Sequence, residues 1–125
     1  MEKKFNLRYT ELLAYKKAFE LAVDIFEVSK SFPKEERYSL TDQIRRASRS
    51  VCANIAEGYR KRRYPKHFIS KLSDSDAENA EVQVWTQFAY RFGYIPVGQH
   101  DTWLENSVEV GSLLGYMMDN PGKFK

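Results

Sequence analysis

The chain has 125 residues, of which 42% are hydrophobic and 30% charged, and its formal net charge is +3. This length suits one domain with its own core, and the composition excludes a disordered or fibrous chain. The sequence has no secretory signal and no apolar run of roughly 20 residues, and Cys52 has no second cysteine to pair with. It therefore predicts one cytoplasmic domain over 1–125 with no membrane contact.

Proline and glycine residues divide the chain into four long segments. The first, about 10–31, has apolar residues at alternating spacings of three and four, which predicts one buried helix face: Leu12, Tyr15, Phe19, Ala22 and Phe26. Four more apolar residues broaden this surface: Leu13, Leu21, Val23 and Ile25. Either a second contact, for example with another subunit, or a wide core face would explain the breadth.

The second segment, about 40–60, has a regular apolar stripe: Leu40, Ile44, Ala47, Val51 and Ile55. Ser39 is the predicted N-cap, because its hydroxyl can accept from a free N–H of the first turn. The third segment, about 65–93, begins with Pro65, a favoured first-turn residue. Its apolar side is interrupted by a small, polar stretch over 73–79 and comprises Phe68, Leu72, Val82, Trp85, Ala89 and Phe92.

The fourth segment, about 102–119, begins with Thr102 and Glu105 at the spacing of a capping box. Its predicted apolar stripe is Leu104, Val108, Leu114 and Met118. Gly111 and Gly115 suggest a close approach of another helix. Since no alternating pattern predicts a strand, we expect an all-α protein, an up-down-up-down antiparallel four-helix bundle.

The positive charge is concentrated in one part of the chain. Residues 41–73 carry a net charge of +7, whereas residues 74–125 carry −5. Such a local field favours a polyanion as partner, although a lopsided solvated face is the alternative. The predicted nucleic-acid contacts are cations, with two aromatic residues for stacking on bases: Arg45, Arg46, Arg49, Arg60, Lys61, Arg62, Arg63, Lys66, Tyr59 and Tyr64. No base-reading motif accompanies them.

Motifs for catalysis are missing from the sequence. It has no Glu-x-x-His pair for a di-metal site and no phosphate-binding glycine loop, and Cys52 has no neighbouring histidine. We therefore expect no catalytic residue, cofactor or metal. Asn54, Glu57 and Glu81 are predicted to form a structural polar network, with Arg45, Arg46 or another chain's arginine as partner, because a buried carboxylate needs one.

Four motifs carry a family resemblance: Tyr15-Lys16-Lys17-Ala18-Phe19-Glu20-Leu21, Phe32-Pro33-Lys34-Glu35-Glu36, Leu40-Thr41-Asp42-Gln43-Ile44-Arg45-Arg46-Ala47 and Asn54-Ile55-Ala56-Glu57-Gly58-Tyr59. In this order they resemble the four helix bundle protein family, which includes proteins encoded within intervening sequences of 23S ribosomal-RNA genes. Further matches continue the register to the end of the third segment: Phe68, Leu72, Glu81, Ala89 and Gly93-Tyr94-Ile95. One departure is the acidic stretch 74–79, where many members are apolar or small.

The resemblance implies a cytoplasmic bacterial protein, a homopentamer and a role with ribosomal RNA, without being an integral ribosome component. A related branch, the accessory variability determinants of diversity-generating retroelements, binds nucleic acid and a reverse transcriptase, and the resemblance extends the same expectation to this chain. The first functional hypothesis is therefore a non-enzymatic protein that binds RNA through a basic surface on an oligomeric ring. The alternative is a protein-binding accessory scaffold, for example for a reverse transcriptase.

Overall fold

The computed structural model describes residues 2–125, and Met1 lies outside it. Four long helices follow one another: α1 (Leu13–Ser29), α2 (Leu40–Arg60), α3 (Pro65–Arg91) and α4 (Val97–Asp119). Three short 3-10 helices flank or connect them: Arg8–Glu11, Lys34–Glu36 and Pro121–Phe124. Since residues 2–125 contain no strand, the predicted all-α four-helix bundle is confirmed.

The helices form an antiparallel bundle in which each helix contacts two neighbours. α2 packs against α1 and α3, and α4 packs against α3 and α1; the contact between α2 and α3 is the most extensive. The largest fully buried side chains come from all four helices and include Ile25, Ile44, Ile55, Phe68 and Trp103. None of the helices within residues 2–125 combines the length and hydropathy needed to cross a bilayer.

Two predicted helix starts differ from the structure. Ser39 precedes α2, but its side chain makes no capping hydrogen bond; the Leu40 N–H donates to the Glu36 carboxylate instead (3.3 Å). α4 begins at Val97, five residues before Thr102, because the carbonyl of Pro96 already accepts from the N–H of His100 (3.1 Å). The expected capping box therefore lies inside the helix.

The core face of α1 is not the one predicted. The buried residues are Ala14, Ala18, Leu21, Ile25 and Ser29. The predicted stripe stays partly or largely exposed, and Phe19 keeps 45% of its surface. Two stripes with the same spacing exist on this helix. The predicted one carries the aromatic residues, whereas the structure buries the one that carries the small alanines. α4 shows a similar displacement, since Leu114 is the one residue of its predicted stripe that is buried. The buried residues of α4 are Trp103, Ser107, Val110, Leu114 and Met117.

Small polar residues hold the middle of α3 in the core. The Ser75 hydroxyl donates to the Val51 carbonyl on α2 (2.8 Å). On the other side, the Asn79 amide donates to the Ser107 carbonyl, and the Ser107 hydroxyl donates back to Asn79, each over 2.8 Å. These bonds satisfy groups that would otherwise be buried without partners. Ser75 and Asn79, from the small, polar stretch over 73–79, therefore connect α3 to its two neighbours.

The close approach between helices occurs at a different glycine from those predicted. A Cβ on Gly58 of α2 would lie 3.2 Å from the Lys71 Cβ on α3. A Cβ on Gly111 would make only ordinary contacts, and one on Gly115 would meet nothing within 4 Å. The expected close approach is therefore wrong for Gly115, while Gly111 lies at ordinary contact distance from side chains of α3.

Candidate nucleic-acid interface

The solvent-facing side of α2 presents arginines in its N-terminal half and at its C-terminal end, because the apolar stripe turns the opposite side into the core. Arg45, Arg49 and Arg60 are separated by four and eleven residues, which places them on one side of a helix with 3.6 residues per turn. The fifteen steps from Arg45 to Arg60 correspond to about 22 Å along the axis. The predicted cations thus form two separate groups.

The first group surrounds an open groove of about 490 Å³ beside the N-terminal half of α2. We call it the arginine groove, and it is lined by Arg37, Thr41, Asp42, Arg45, Arg46, Arg49, Ser50 and Ala53. Among residues 2–125, Arg37, Arg45 and Arg49 form no ion pair. The groove therefore keeps an excess of positive charge over Asp42.

The guanidinium group of Arg45 is held in place by α1. Its Nε donates to the Ser29 hydroxyl (2.8 Å), and one Nη lies 3.4 Å from the carbonyl oxygen of Phe26. The guanidinium carbon sits 4.6 Å from the centre of the Phe26 ring, and that of Arg49 lies 5.7 Å from the same ring. Stacking on one aromatic ring thus positions two like charges near each other.

Arg46 differs from its neighbours because acids on α3 neutralise it. It donates to the carboxylates of Glu78 (3.1 Å) and Glu81. The hydrogen bond to Glu81 is the main reason that the pKa of Arg46 is raised. Desolvation works against ionisation of Glu81, but hydrogen bonds from Trp85 and Arg46 outweigh it and lower the pKa of that carboxyl. Fewer Arg46 donors are therefore free for a phosphate.

The second group of cations forms the turn between α2 and α3. We call it the basic corner: Arg60, Lys61, Arg62, Arg63 and Lys66. Within residues 2–125 none of these five forms an ion pair. Part of the corner borders a shallow cavity of about 460 Å³, lined by Arg60, Arg62, Arg63, Pro65 and Lys125.

The two predicted stacking residues, Tyr59 and Tyr64, both lie at this corner but differ in how accessible their rings are. The guanidinium of Arg62 lies 4.1 Å from the centre of the Tyr59 ring and donates to the Tyr59 carbonyl (2.9 Å), so that one face of this ring is covered. Tyr64 is exposed, and its ring meets His67 edge-on at 5.8 Å. Tyr64 is therefore the more accessible surface for a base.

The predicted polar network of Asn54, Glu57 and Glu81 does not form as one unit. The Asn54 amide donates to the Ser50 carbonyl of its own helix (3.0 Å), and Glu57 pairs with Lys71 (2.8 Å). Only Glu81 has the expected arginine partner, Arg46. The three side chains point to different neighbours because Asn54 and Glu57 lie at the edges of the buried stripe rather than within it.

An apolar trough lies between α1 and α2, next to the arginine groove. Its volume is about 510 Å³, and it is lined by Tyr9, Tyr15, Phe19, Ala22, Val23, Phe26, Arg49, Cys52, Ala53 and Ala56. Burial raises the pKa of the Cys52 thiol to about 11, which keeps it protonated at neutral pH. Residues 2–125 contain no group of three or more histidine, cysteine, aspartate or glutamate side chains that is arranged to hold a metal ion.

Sequence reasoning missed two parts of these surfaces. Arg37 and Thr41 line the arginine groove although both precede the predicted cations. They could have been found by extending the spacing of four backwards from Arg45 and Arg49. Lys125 joins the cavity at the basic corner only because the last 3-10 helix folds back beside α3, and no local pattern signals that placement.

Comparison with known proteins places the whole bundle in one group. Residues 10–116 match the family model described as 23S rRNA-intervening sequence protein. A solved structure, that of a protein with unknown function from the S23 ribosomal protein family of Bacteroides thetaiotaomicron VPI-5482, is similar at 27% identity and a TM-score of 0.76. The match covers 86% of this chain and 96% of that chain. No curated protein matches the chain.

Proposed function

The chain belongs to the 23S rRNA-intervening sequence protein family, and from that premise we propose that it binds RNA, without catalysis, through the arginine groove and the basic corner. The observation that carries this proposal is the distribution of unpaired cations. Of the nine lysines and arginines in residues 41–73, only Arg46 and Lys71 have an acidic partner within residues 2–125. The others stay available to a polyanion.

Phosphate contacts, rather than base contacts, provide the affinity. The guanidinium groups of Arg45, Arg49, Arg60 and Arg63 match phosphate oxygens. The first three lie on one side of α2 over about 22 Å, and Arg63 follows in the turn after it. Such an array can track a nucleic-acid backbone without reading its sequence. Tyr64 adds an exposed ring on which an unpaired base can stack. We expect binding that tolerates sequence and depends strongly on salt.

The salt dependence of RNA affinity tests this proposal. We compare the wild type with Arg60→Gln/Arg63→Gln and measure the dissociation constant for a single-stranded RNA across a series of salt concentrations. If each arginine neutralises one phosphate, the double variant should lower the log–log slope by about 1.4, since each contact to a single strand contributes about 0.7. Affinity should fall most at low salt.

A matched variant controls for the change in net charge. Lys16→Gln/Arg91→Gln removes two exposed cations of α1 and α3 that belong to neither group, and should leave the slope close to that of the wild type. RNA binding that is absent in the wild type, or a slope that changes equally in both double variants, would contradict the proposal.

A second candidate function, a protein-binding scaffold, is favoured by the apolar trough. Phe19 and Val23 keep nearly half of their surfaces exposed there. Contiguous exposed apolar residues of this kind often mark an interaction site. We propose a second copy of this chain as its occupant, because α1 carries more apolar surface than its core face buries and a contact with another subunit would cover the excess. The oligomer would then repeat the RNA-binding side of α2.

A further inference from the structure

We propose that the arginine groove is a site for a phosphomonoester, that is, a terminal phosphate group such as the end of an RNA chain or the phosphate of a nucleotide. This inference rests on the RNA-binding function proposed above and assigns different tasks to the two basic surfaces. The basic corner contacts internal phosphodiesters, and the arginine groove selects a phosphate with one ester bond.

The charge in the groove favours such a group. Arg37, Arg45 and Arg49 carry three positive charges without an ion-pair partner in residues 2–125, and Asp42 contributes one negative charge. The fourth arginine, Arg46, is more than offset by Glu78 and Glu81, so that these groups together leave one positive charge. A groove with net positive charge attracts a phosphomonoester, which carries about −1.5 to −2 at pH 7, more strongly than a phosphodiester, which carries one.

The donors in the groove are held in position before a ligand arrives. Ser29 and Phe26 use the Nε and one Nη of Arg45, which leaves its other Nη without a partner among the described residues. Arg49 stacks on the same Phe26 ring. A guanidinium already fixed by stacking loses less entropy when it binds an anion. Two such groups beside one cavity suit the three free oxygens of a terminal phosphate.

A buried hydroxyl gives independent support for a ligand in this groove. Thr41 lines the cavity and is only 7% exposed. Its hydroxyl has no hydrogen-bond partner within residues 2–125, and it is the one buried side-chain oxygen or nitrogen there in that condition. Leaving a buried donor unsatisfied costs free energy. The Oγ1 atom is closed to solvent in this structure, so that a rotation of the Thr41 side chain towards the groove would bring the hydroxyl to a phosphate oxygen, an acceptor that would satisfy it.

The basic corner lacks these features. Its cations occupy neighbouring positions of a turn, and most are exposed. Arg62 is the only one stacked on a ring, and no orphaned polar group of the described residues lies beside it. Exposed cations of this kind neutralise a backbone phosphate wherever it passes, so that the corner should not distinguish a terminal phosphate from an internal one.

The test compares short RNAs of one sequence that differ only at their ends: 5′-phosphate, 3′-phosphate or hydroxyl at both ends. Dissociation constants are measured at one salt concentration for the wild type, Arg37→Gln, Arg49→Gln and Arg60→Gln/Arg63→Gln. We expect a terminal phosphate to tighten binding to the wild type by about tenfold. Either groove variant should lose most of this preference, while the corner variant should bind every RNA more weakly and keep it.

Free phosphates identify the source of the group. Inorganic phosphate and uridine 5′-monophosphate are tested as competitors of the phosphorylated RNA. Competition by the nucleotide at much lower concentrations than by inorganic phosphate supports the site and assigns it to a nucleotide or chain end. Competition by inorganic phosphate at similar concentrations also supports the site but assigns recognition to the phosphate alone.

Three outcomes would overturn the inference. If the wild type binds all RNAs equally well, the groove does not select a phosphomonoester, but the proposed RNA binding stands. If it binds none of them, the proposed function fails as well. If Arg37→Gln or Arg49→Gln changes the mass of the particle by sedimentation, the groove is a contact between copies, and acidic side chains of the second copy occupy it.

Discussion

At the scale of single residues, the same side chain type has different roles according to its partners. Arg46 and Arg49 are three positions apart on α2, yet Arg46 lies against two carboxylates of α3, while Arg49 stacks on Phe26 of α1. The first links two helices, and the second keeps its charge available. The sequence placed both on a phosphate-binding surface and offered Arg45 and Arg46 alike as partners of Glu81. It could not choose between them, because the acids of α3 are more than thirty residues away in the chain.

The Arg46–Glu81 pair predicts a dependence of stability on pH. Because the pKa of Glu81 is lowered in the folded state, the pair contributes stability above the ordinary carboxyl value of 4.5 and loses it as the pH falls through the folded pKa. Glu81→Gln should therefore reduce the free energy of unfolding at pH 7 by about 0.2–1 kcal/mol, the range for partly exposed pairs. Urea denaturation measures this difference.

The pH series separates this effect from a general effect of the substitution. The difference between wild type and Glu81→Gln should shrink as the pH falls below 4.5 and through the lowered pKa of the wild-type carboxyl. Glu105→Gln, at an exposed position with no ion pair in residues 2–125, should match the wild type throughout. A difference that stays constant while the pH falls from 7 to well below 4.5 is incompatible with the pair as its source.

At the scale of helices, the prediction from sequence was most successful where one apolar stripe dominates. All five predicted apolar residues of α2 are buried, since its opposite side is charged. α1 carries two stripes, and the structure buries the one with alanines, which lets α1 approach its neighbours. α4 is buried through a stripe displaced by about one position, centred on Trp103 and Val110. Pattern alone could not rank such competing stripes.

Packing between α2 and α3 predicts opposite effects of two glycine substitutions. Gly115→Ala should stabilise the protein by about 0.5–1 kcal/mol, because alanine is the better helix former and its Cβ would meet open space. Gly58→Ala gains the same propensity, but its Cβ would lie 3.2 Å from the Lys71 Cβ, which can move only with α3. We expect a net loss of about 1 kcal/mol from this overpacking.

Thermal and urea unfolding of the two variants measure these effects under identical conditions. Equal stabilisation by both substitutions would mean that the distance between α2 and α3 is not limiting at Gly58.

At the scale of the whole molecule, the bundle separates two kinds of surface. One side of α2 is rich in unpaired cations, and the adjoining trough beside α1 is apolar. The two share Arg49 and Ala53 along their boundary. An interface in the trough would therefore leave cations of several copies close to one another, which multiplies weak phosphate contacts by avidity.

Self-association through the trough is tested by the mass of the particle in solution. The wild type should sediment as a multiple of the 14.7 kDa chain. Phe19→Ser should shift it towards a single chain, because it removes the largest exposed apolar group of the trough. Phe92→Ser, which changes a somewhat more exposed phenylalanine at the end of α3, serves as the control and should keep the wild-type mass.

A wild type that remains a single chain at micromolar concentration would contradict a second copy as occupant of the trough. Capture of a different protein that survives nuclease treatment would then point to the scaffold function with another partner. Loss of the oligomer together with loss of RNA affinity in Phe19→Ser would show that RNA binding depends on the assembly.

The sequence by itself determined the class of fold and the location of the positive charge. Helical periodicity and the turn residues are local properties, so they can be read without coordinates, and the crowding of cations into 41–73 is a matter of counting. Only the tertiary structure decided which cations are free. Glu78, Glu81 and Phe26 reach α2 from other helices, and these contacts between distant residues, rather than residue type, separate a neutralised arginine from one that can bind a phosphate.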